Sequence, residues 1–292
     1  MNDPTTARPP APGPVETGSG GRRSRVRDEG LRAGIIATVS TVVFFGVAAY
    51  LIASSPNWPR VRAQFFSWED FREAWPAVLS GFWINVELFF WAMLLIPIVA
   101  LVVAVMRSLR GPAFFPLRLL SVVYTDVFRG VPLILLILLI GFGVPALDIR
   151  ALPNDAKFWG LIALTLSYSA YTAEIYRSGI DAVPESQRAS ARSLGLTQFQ
   201  TLRYALLPQA IRNVVPALMN TVVSLQKDVA LIAVLGVVRD ATREAQIIST
   251  RTFNYTPYLA ATVLFLAVSI PLTRYVDWYI ARDRERRSQS QV

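Results

Sequence analysis

The sequence predicts an all-α protein, a polytopic bundle of about six transmembrane helices. Hydrophobic residues make up 53% of the 292-residue chain and charged residues only 17%, which is too apolar for one soluble core. The apolar residues gather in runs, and each run is long enough to cross a hydrocarbon layer about 30 Å thick. Most arginines lie in alternate loops between these runs, as expected of cytoplasmic loops.

The composition also excludes several classes of function. The chain contains no cysteine and no histidine, so disulfides and thiolate metal sites are excluded and the commonest general base is missing. The net charge of +9 indicates either a nucleic-acid footprint or the cytoplasmic loops of a membrane protein. The placement of the arginines favours the second interpretation, so we do not expect nucleic-acid binding. We do not expect catalysis either, because histidine and cysteine are absent.

The predicted organisation begins with a disordered cytoplasmic tail over residues 1–34, rich in proline, glycine and arginine. Residues 35–53 form an extra N-terminal transmembrane helix, because the run is longer than the hydrophobic part of a signal peptide and no small-residue cleavage site follows. Residues 281–292 form a basic cytoplasmic tail. The other predicted spans are 79–106, 119–147, 158–176, 213–237 and 257–280.

Residues 177–208 form a long polar loop, which the arginine bias places in the cytoplasm together with both termini. Pro184 can open a helix and Gly195 can end it. Thr197 can cap a second helix that runs to Pro208. We therefore predict two short helices that meet at a glycine elbow, a rigid element suited to receive motion from a soluble partner.

This loop resembles that of the ABC importer permeases with an EAA motif, in which an acidic residue and two alanines precede a glycine and a Leu-Pro pair at fixed spacing. Ala189 stands where the family usually has glutamate, and Glu185, four residues earlier, is a candidate substitute. Ser190 stands in place of the first alanine. The positions in register with the motif are Ala189, Ser190, Ala191, Gly195, Leu207 and Pro208.

Four further blocks resemble the polar amino acid branch of these permeases: 124–145, 169–187, 207–220 and 225–236. The resemblance implies a type-1 ABC permease domain over residues 79–280 with a five-helix core, in the inner (cytoplasmic) membrane, and makes 177–208 the coupling loop. It also implies the partners, namely ABC ATPase subunits that hold ATP and Mg²⁺, a second permease subunit, identical or related, and an extracytoplasmic substrate-binding protein. The chain has no Walker A motif, so we expect no cofactor in it.

Charges inside predicted spans should be paired or functional, because burying one costs about 2.5–3.5 kcal/mol at a helix centre. Asp228 and Lys227 lie near the middle of the fifth span, and Glu174 lies in the inner part of the fourth. Asp228 is either a structural ion-pair partner or a ligand of the substrate's amino group. Glu174 can instead pair with Arg177 three residues later. We treat Asp228, Glu174 and Lys227 as candidates for the substrate path.

Two further polar pairs occur in or beside the predicted spans. Asp126 and Arg129 lie three residues apart before Pro132, which predicts a local ion pair at a proline kink. Asn85 and Glu87 lie near the outer end of the second span, where Glu87 can reach the membrane interface.

The predicted function is that of a permease subunit that forms the translocation path of an ATP-driven importer for a polar amino acid. The extra N-terminal helix resembles the glutamate uptake systems of high-GC Gram-positive bacteria, which favours glutamate and leaves glutamine, arginine and cystine open. An ion-coupled secondary transporter is the alternative, although no inverted repeat is visible. A membrane-embedded enzyme is a third possibility, and without histidine or cysteine it would depend on carboxylates and lysine.

Overall fold

The computed structural model describes residues 20–109, 111–197 and 200–289, and most of them are helical. The longest helix, α3, begins after Ser67, whose hydroxyl accepts the Asp70 N–H, and acidic residues occupy its first turn as the helix dipole favours. The α-helices are α1 Gly20–Ala53, α2 Trp58–Phe65, α3 Trp68–Ser108, α4 Phe115–Gly130, α5 Leu133–Gly143, α6 Ala156–Asp181, α7 Glu185–Ser193, α8 Leu207–Asp228, α9 Ala241–Thr252 and α10 Thr256–Gln289.

The fold is a helical membrane bundle, which confirms the predicted class. Within the described ranges, four helical stretches are long and apolar enough to cross a membrane, and a strongly bent pair brings the number to five. The predicted span 158–176 lies in α6, which has 26 residues and is long enough to span but is not among the most apolar helices. The four stretches are Gly34–Ala53, Trp58–Ser108, Arg203–Leu235 and Thr256–Glu285.

The predicted span 119–147 is broken and not merely kinked. Helix α4 with the short turn before it, Pro112–Gly130, meets Leu133–Leu147 at an angle of 109°. Pro132 has no N–H to continue α4, and the residue before it, Val131, is extended with ψ 131°. The prediction of a simple proline kink was therefore wrong, because the proline ends one helix and begins the next.

The described residues divide into two compact units, one up to residue 61 and one from residue 62 onward. In the first unit, α1 contains the predicted extra helix 35–53 but begins at Gly20, inside the segment predicted to be disordered. Arginine, glutamate and leucine between residues 22 and 32 are good helix formers and favour this extension. Residues 1–19 lie outside the described residues.

Helix α6 is the centre of the second unit and packs against α3, α4, α5 and α8. The largest core cluster joins α3, α5, α6 and the 3₁₀-helical segment Val229–Leu235 after α8, through buried apolar side chains such as Leu88, Ile137, Leu164 and Ile232. Gly160 permits this packing, because a Cβ there would lie 3.2 Å from the Ile232 side chain. Because α6 packs against both α4 and α8, a cavity forms between these three helices.

Candidate functional site

A cavity of about 640 Å³ lies between the end of α4, one face of α6 and the second half of α8. The break at Pro132 forms one wall, so the residues that end α4 line the cavity. Its lining combines charged, hydroxyl and aromatic side chains, an unusual content for a membrane bundle. The polar lining residues are Arg129, Ser167, Tyr168, Tyr171, Glu174, Ser178, Asn220, Thr221, Ser224 and Asp228.

Asp228 is the last residue of α8 and lines this cavity. Its Oδ2 accepts a hydrogen bond of 2.6 Å from the Tyr168 hydroxyl of α6. Within the described residues Asp228 has no ion pair, so the structural ion-pair interpretation has no partner there. The neighbouring Lys227 is exposed and does not line the cavity, which separates it from the other two candidates.

Glu174 also lines the cavity, but its carboxylate is held by two arginines. Arg107 at the end of α3 donates from Nη1 to Glu174 Oε2 at 3.1 Å. Arg177 Nε donates to Glu174 Oε1 at 3.0 Å, the pair that the i,i+3 spacing predicts. Arg177 in turn pairs with Asp181 at 2.5 Å. This network links the C-terminal ends of α3 and α6, which the arginine distribution predicts to face the cytoplasm.

The predicted ion pair between Asp126 and Arg129 is not formed among the described residues. The Arg129 guanidinium instead lies over the Tyr171 ring at 5.6 Å, and the Tyr171 hydroxyl donates to the Arg129 carbonyl at 3.1 Å. The physical reason is the break at Pro132, which ends α4 beside α6. Arg129, Tyr168 and Tyr171 were missed as cavity residues, although tyrosines three residues apart on a predicted span are a visible signal.

The polar loop folds in its first half as predicted. Helix α7 begins at Glu185, directly after Pro184, and ends two residues before Gly195. Gly195 adopts φ +79°, a conformation that other residues rarely accept, and it is exposed. Glu185 pairs with Arg192 at 3.2 Å within the same helix. Of the motif positions, Ala189 and Ser190 are exposed and Ala191 is buried.

The second half of the loop differs from the prediction. Thr197 and Gln200 form a reciprocal cap, in which Thr197 N–H donates to Gln200 Oε1 at 2.9 Å and Gln200 N–H donates to Thr197 Oγ1 at 3.3 Å. A π-helical turn, Thr201–Leu206, then runs directly into α8. The helix therefore does not end at Pro208, because Leu207 and Pro208 occupy the first turn of α8, where proline needs no N–H partner.

A further carboxylate, Asp240, lies outside this cavity and caps the N-terminus of α9. Its side chain is 0% exposed. Its Oδ2 accepts from Asn85 Nδ2 at 2.9 Å, and its Oδ1 accepts from the Arg243 N–H at 2.8 Å. Asn85 Oδ1 accepts the Ala241 N–H at 3.1 Å. Burial raises the pKa of Asp240 to about 6 despite these hydrogen bonds.

Gly81, one turn before Asn85 on α3, allows this contact. A Cβ at Gly81 would lie 2.6 Å from the Asp240 carbonyl carbon. Asp240 was not predicted as a buried residue, because it lies in a polar segment outside the predicted spans. Glu87, two residues after Asn85 on α3, accepts a hydrogen bond of 2.7 Å from Lys157 Nζ.

Comparison with known proteins is consistent with this architecture. Residues 112–284 match the family of binding-protein-dependent transport system inner membrane components. An arginine transport system permease protein of Bacillus subtilis is 32% identical over 218 residues, which cover 74% of this chain and 94% of that protein. The crystal structure of an amino acid ABC transporter with histidines contains a chain 34% identical, with a TM-score of 0.64 over 71% of this chain and 94% of that chain.

The fold is shared more widely. An inward-facing MetNI methionine ABC transporter superposes with a TM-score of 0.52 at 18% identity, which shows a common fold alone. Taken together, the length of the match and the coverage of the relatives show that the chain belongs to the family of binding-protein-dependent transport system inner membrane components, as an ABC permease subunit and not an enzyme.

Proposed function

We propose that the chain forms the translocation path for a polar amino acid, and that the 640 Å³ cavity is where the substrate binds. The observation that carries this proposal is that the cavity is lined by one carboxylate and one guanidinium, neither of which forms an ion pair with any described residue. Asp228 supplies the negative charge and Arg129 the positive charge. Every free amino acid carries both an ammonium and a carboxylate, so the two residues form a complementary set.

In this proposal Asp228 binds the α-ammonium group and Arg129 binds the α-carboxylate. Tyr168 orients Asp228 through its hydroxyl, and Tyr171 supports the Arg129 guanidinium through its ring. Glu174 is already bound by two arginines, so a cationic substrate side chain would have to displace one of them. Lys227 does not line this cavity, and we propose it for the translocation path only because it lies within the predicted fifth span.

The rest of the lining favours a neutral polar substrate side chain. Asn220, Thr221 and Ser224 of α8 offer hydrogen-bond donors and acceptors without net charge. A glutamine-like side chain fits this wall better than a second carboxylate, which would meet no further unpaired cation among the described lining residues. The expectation of glutamate rests on the N-terminal resemblance alone, and relatives are named for arginine and glutamine transport.

Competition for uptake tests the substrate. Proteoliposomes that contain the chain, its partner ATPase and the substrate-binding protein should take up labelled glutamine only with ATP. A large excess of unlabelled glutamine should suppress the uptake of label, while glutamate and arginine compete less. Uptake without ATP, driven by an ion gradient, would overturn the proposal in favour of a secondary transporter.

The Arg129→Gln variant tests the assignment of the carboxylate ligand. It keeps hydrogen-bond donors but removes the charge, so we expect uptake to fall at least about tenfold, the loss of one charge-assisted hydrogen bond. Arg118→Gln in the same helix is the matched control, because Arg118 does not line the cavity. Equal uptake by the two variants would show that Arg129 does not bind the substrate.

We also propose that α7 and the Gly195 turn couple the permease to the ATPase. The motif positions Ala189, Ser190 and Gly195 are exposed and available to a partner. The capped turn at Thr197 leads through the π-helical turn into α8, so movement of the loop would reach Asp228 along one helix. Pro208 and Leu207 lie within that connection.

A substitution at Gly195 tests the coupling. Gly195→Trp should abolish ATP-driven uptake, since a bulky residue at φ +79° strains the turn, while membrane insertion is retained. Gly143→Trp is the control, because Gly143 has open space around it and lies far along the chain. Normal uptake by Gly195→Trp would mean that another element contacts the ATPase.

Both termini and the 177–208 loop are proposed to lie in the cytoplasm, following the arginine distribution. Single cysteines can be introduced into the cysteine-free chain without background. An impermeant thiol reagent should label Asp155→Cys in intact cells and should not label Thr197→Cys. The reverse pattern would invert the topology.

A further inference from the structure

The C-terminal end of α10 carries a small cavity that is separate from the proposed substrate site. It has a volume of about 300 Å³ and combines three aromatic rings with one cationic and one acidic side chain. Its lining residues share one face of the helix, because they occupy positions i, i+3, i+4, i+7 and i+8. They are Tyr275, Trp278, Tyr279, Arg282 and Asp283.

The depth of this cavity along the helix is that of a lipid headgroup layer. Helix α10 and the membrane-crossing stretch within it both begin at Thr256. At about 1.5 Å per residue, Tyr275 lies about 28 Å and Asp283 about 40 Å from Thr256 along the helix. A bilayer has a hydrocarbon core of about 30 Å and reaches about 40–45 Å with both headgroup layers, so one layer is about 5–8 Å thick. If the helix begins at one edge of the core, the cavity begins at the opposite edge of the core and extends through the headgroup layer there.

The side chains in the cavity suit a phosphate. The Arg282 guanidinium lies 5.2 Å above the Trp278 ring, and the Tyr275 and Trp278 rings are 5.9 Å apart. Stacking on an aromatic ring uses one face of the guanidinium and leaves the N–H donors at its edge available to oxygen acceptors. In the sequence, residues 284–287 that follow the cavity residues are three arginines and one glutamate, a net positive charge that favours an anionic membrane surface.

We propose that this cavity binds the headgroup of an anionic phospholipid, with Arg282 as the ligand of the phosphodiester and the three aromatic rings packed against the glycerol and upper acyl region. A lipid fits better than free phosphate, because the cavity is mostly aromatic and lies at headgroup depth. The bound lipid would fix the end of α10 at the membrane surface.

Lipid retention by the purified full-length chain tests this site. The chain in mild detergent is mixed with phosphatidylglycerol or phosphatidylcholine of the same acyl composition, and bound lipids are counted by native mass spectrometry. We expect one phosphatidylglycerol to remain bound per chain and phosphatidylcholine to be lost. Equal retention of the two lipids, or displacement of phosphatidylglycerol by inorganic phosphate, would overturn the proposal.

Matched variants separate a defined site from diffuse attraction. Each arginine near an anionic membrane surface contributes about fivefold in affinity by diffuse attraction. Arg282→Gln and Arg284→Gln change the net charge equally, but only Arg282 lines the cavity. We expect Arg282→Gln to lower the affinity for phosphatidylglycerol more than tenfold and Arg284→Gln at most about fivefold. The same loss in both variants would contradict a defined site.

Trp278→Leu provides a second test that keeps every charge. Leucine preserves an apolar surface and helix propensity but removes the ring beneath the guanidinium. We expect phosphatidylglycerol retention to fall several-fold although the net charge is unchanged. Unchanged retention would show that the aromatic face has no part in the binding.

Discussion

Asp228 and Asp240 lie twelve residues apart in the chain, on either side of the 3₁₀-helical segment Val229–Leu235, and their surroundings differ sharply. Asp240 is fully buried, and both of its oxygens accept N–H groups of the protein. Asp228 lines an open cavity and has a single donor among the described residues, the Tyr168 hydroxyl. The first carboxylate is satisfied by the fold, while the second has oxygen lone pairs left for a ligand.

Burial alone therefore does not identify a functional carboxylate. The pKa of Asp240 is raised to about 6, because the loss of hydration outweighs the hydrogen bonds of its partners. Perturbed groups of this kind are often taken as signs of a functional site, but structural networks perturb pKa values as well. Access to a cavity is therefore the better sign of a carboxylate that binds a ligand.

The largest effect is expected from Asn85→Ala. The change removes the donor to Asp240 Oδ2 and the acceptor of the Ala241 N–H, and both atoms remain buried. Each unsatisfied buried group costs about 1–3 kcal/mol, and more when it is charged. We expect a loss of about 3 kcal/mol or more in the free energy of unfolding, measured by thermal denaturation in detergent. A change below about 1 kcal/mol would show that water replaces the Asn85 amide.

Gly81→Ala should have the next largest effect. The new Cβ would lie 2.6 Å from the Asp240 carbonyl carbon, a backbone atom that cannot move alone. Such overpacking costs about 1–3 kcal/mol of folding free energy. Gly143→Ala is the control and should be neutral, because nothing lies within 4 Å of a Cβ there. Similar melting temperatures for the two variants would contradict the close contact between α3 and the start of α9.

The pH dependence of stability should carry the signature of Asp240. Because its pKa is higher in the folded chain than the ordinary value of 3.8, the folded state binds the proton more tightly, and this contribution is lost as the pH rises through about 6. We expect Asp240 to make the wild type about 1 kcal/mol more stable at pH 5 than at pH 7. The Asp240→Asn variant should lack this difference, and an identical pH profile in both proteins would contradict the assignment.

Tyr168→Phe should have the smallest effect on stability. The hydroxyl donates to Asp228 at 2.6 Å, but the carboxylate lines the cavity, where water can replace the lost donor. We expect a change in the free energy of unfolding below about 1 kcal/mol together with weaker substrate binding. A loss as large as that of Asn85→Ala would mean that Asp228 is as structural as Asp240.

The sequence was informative where the controlling interactions are local. The proline before α7, the cap at Thr197 and the pairing of Glu174 with Arg177 all depend on residues a few positions apart, and the apolar runs outline the bundle. The contact of Asn85 with Asp240 joins residues 155 positions apart, and that of Tyr168 with Asp228 joins residues 60 apart. No local pattern encodes such pairs. The broken helix at Pro132 also shows that a proline's effect depends on what packs beside it.

A paired comparison of Asp228→Asn and Asp240→Asn tests whether Asp228 binds the substrate while Asp240 only stabilises the fold. Each variant keeps side-chain volume and removes one negative charge, and the measurement is ATP-driven uptake divided by the amount of folded protein in the membrane. We expect Asp228→Asn to lower this ratio at least tenfold with a normal amount of folded protein, while Asp240→Asn leaves the ratio unchanged. A loss of uptake by Asp228→Asn that is only proportional to a loss of folded protein would show that Asp228 has a structural role.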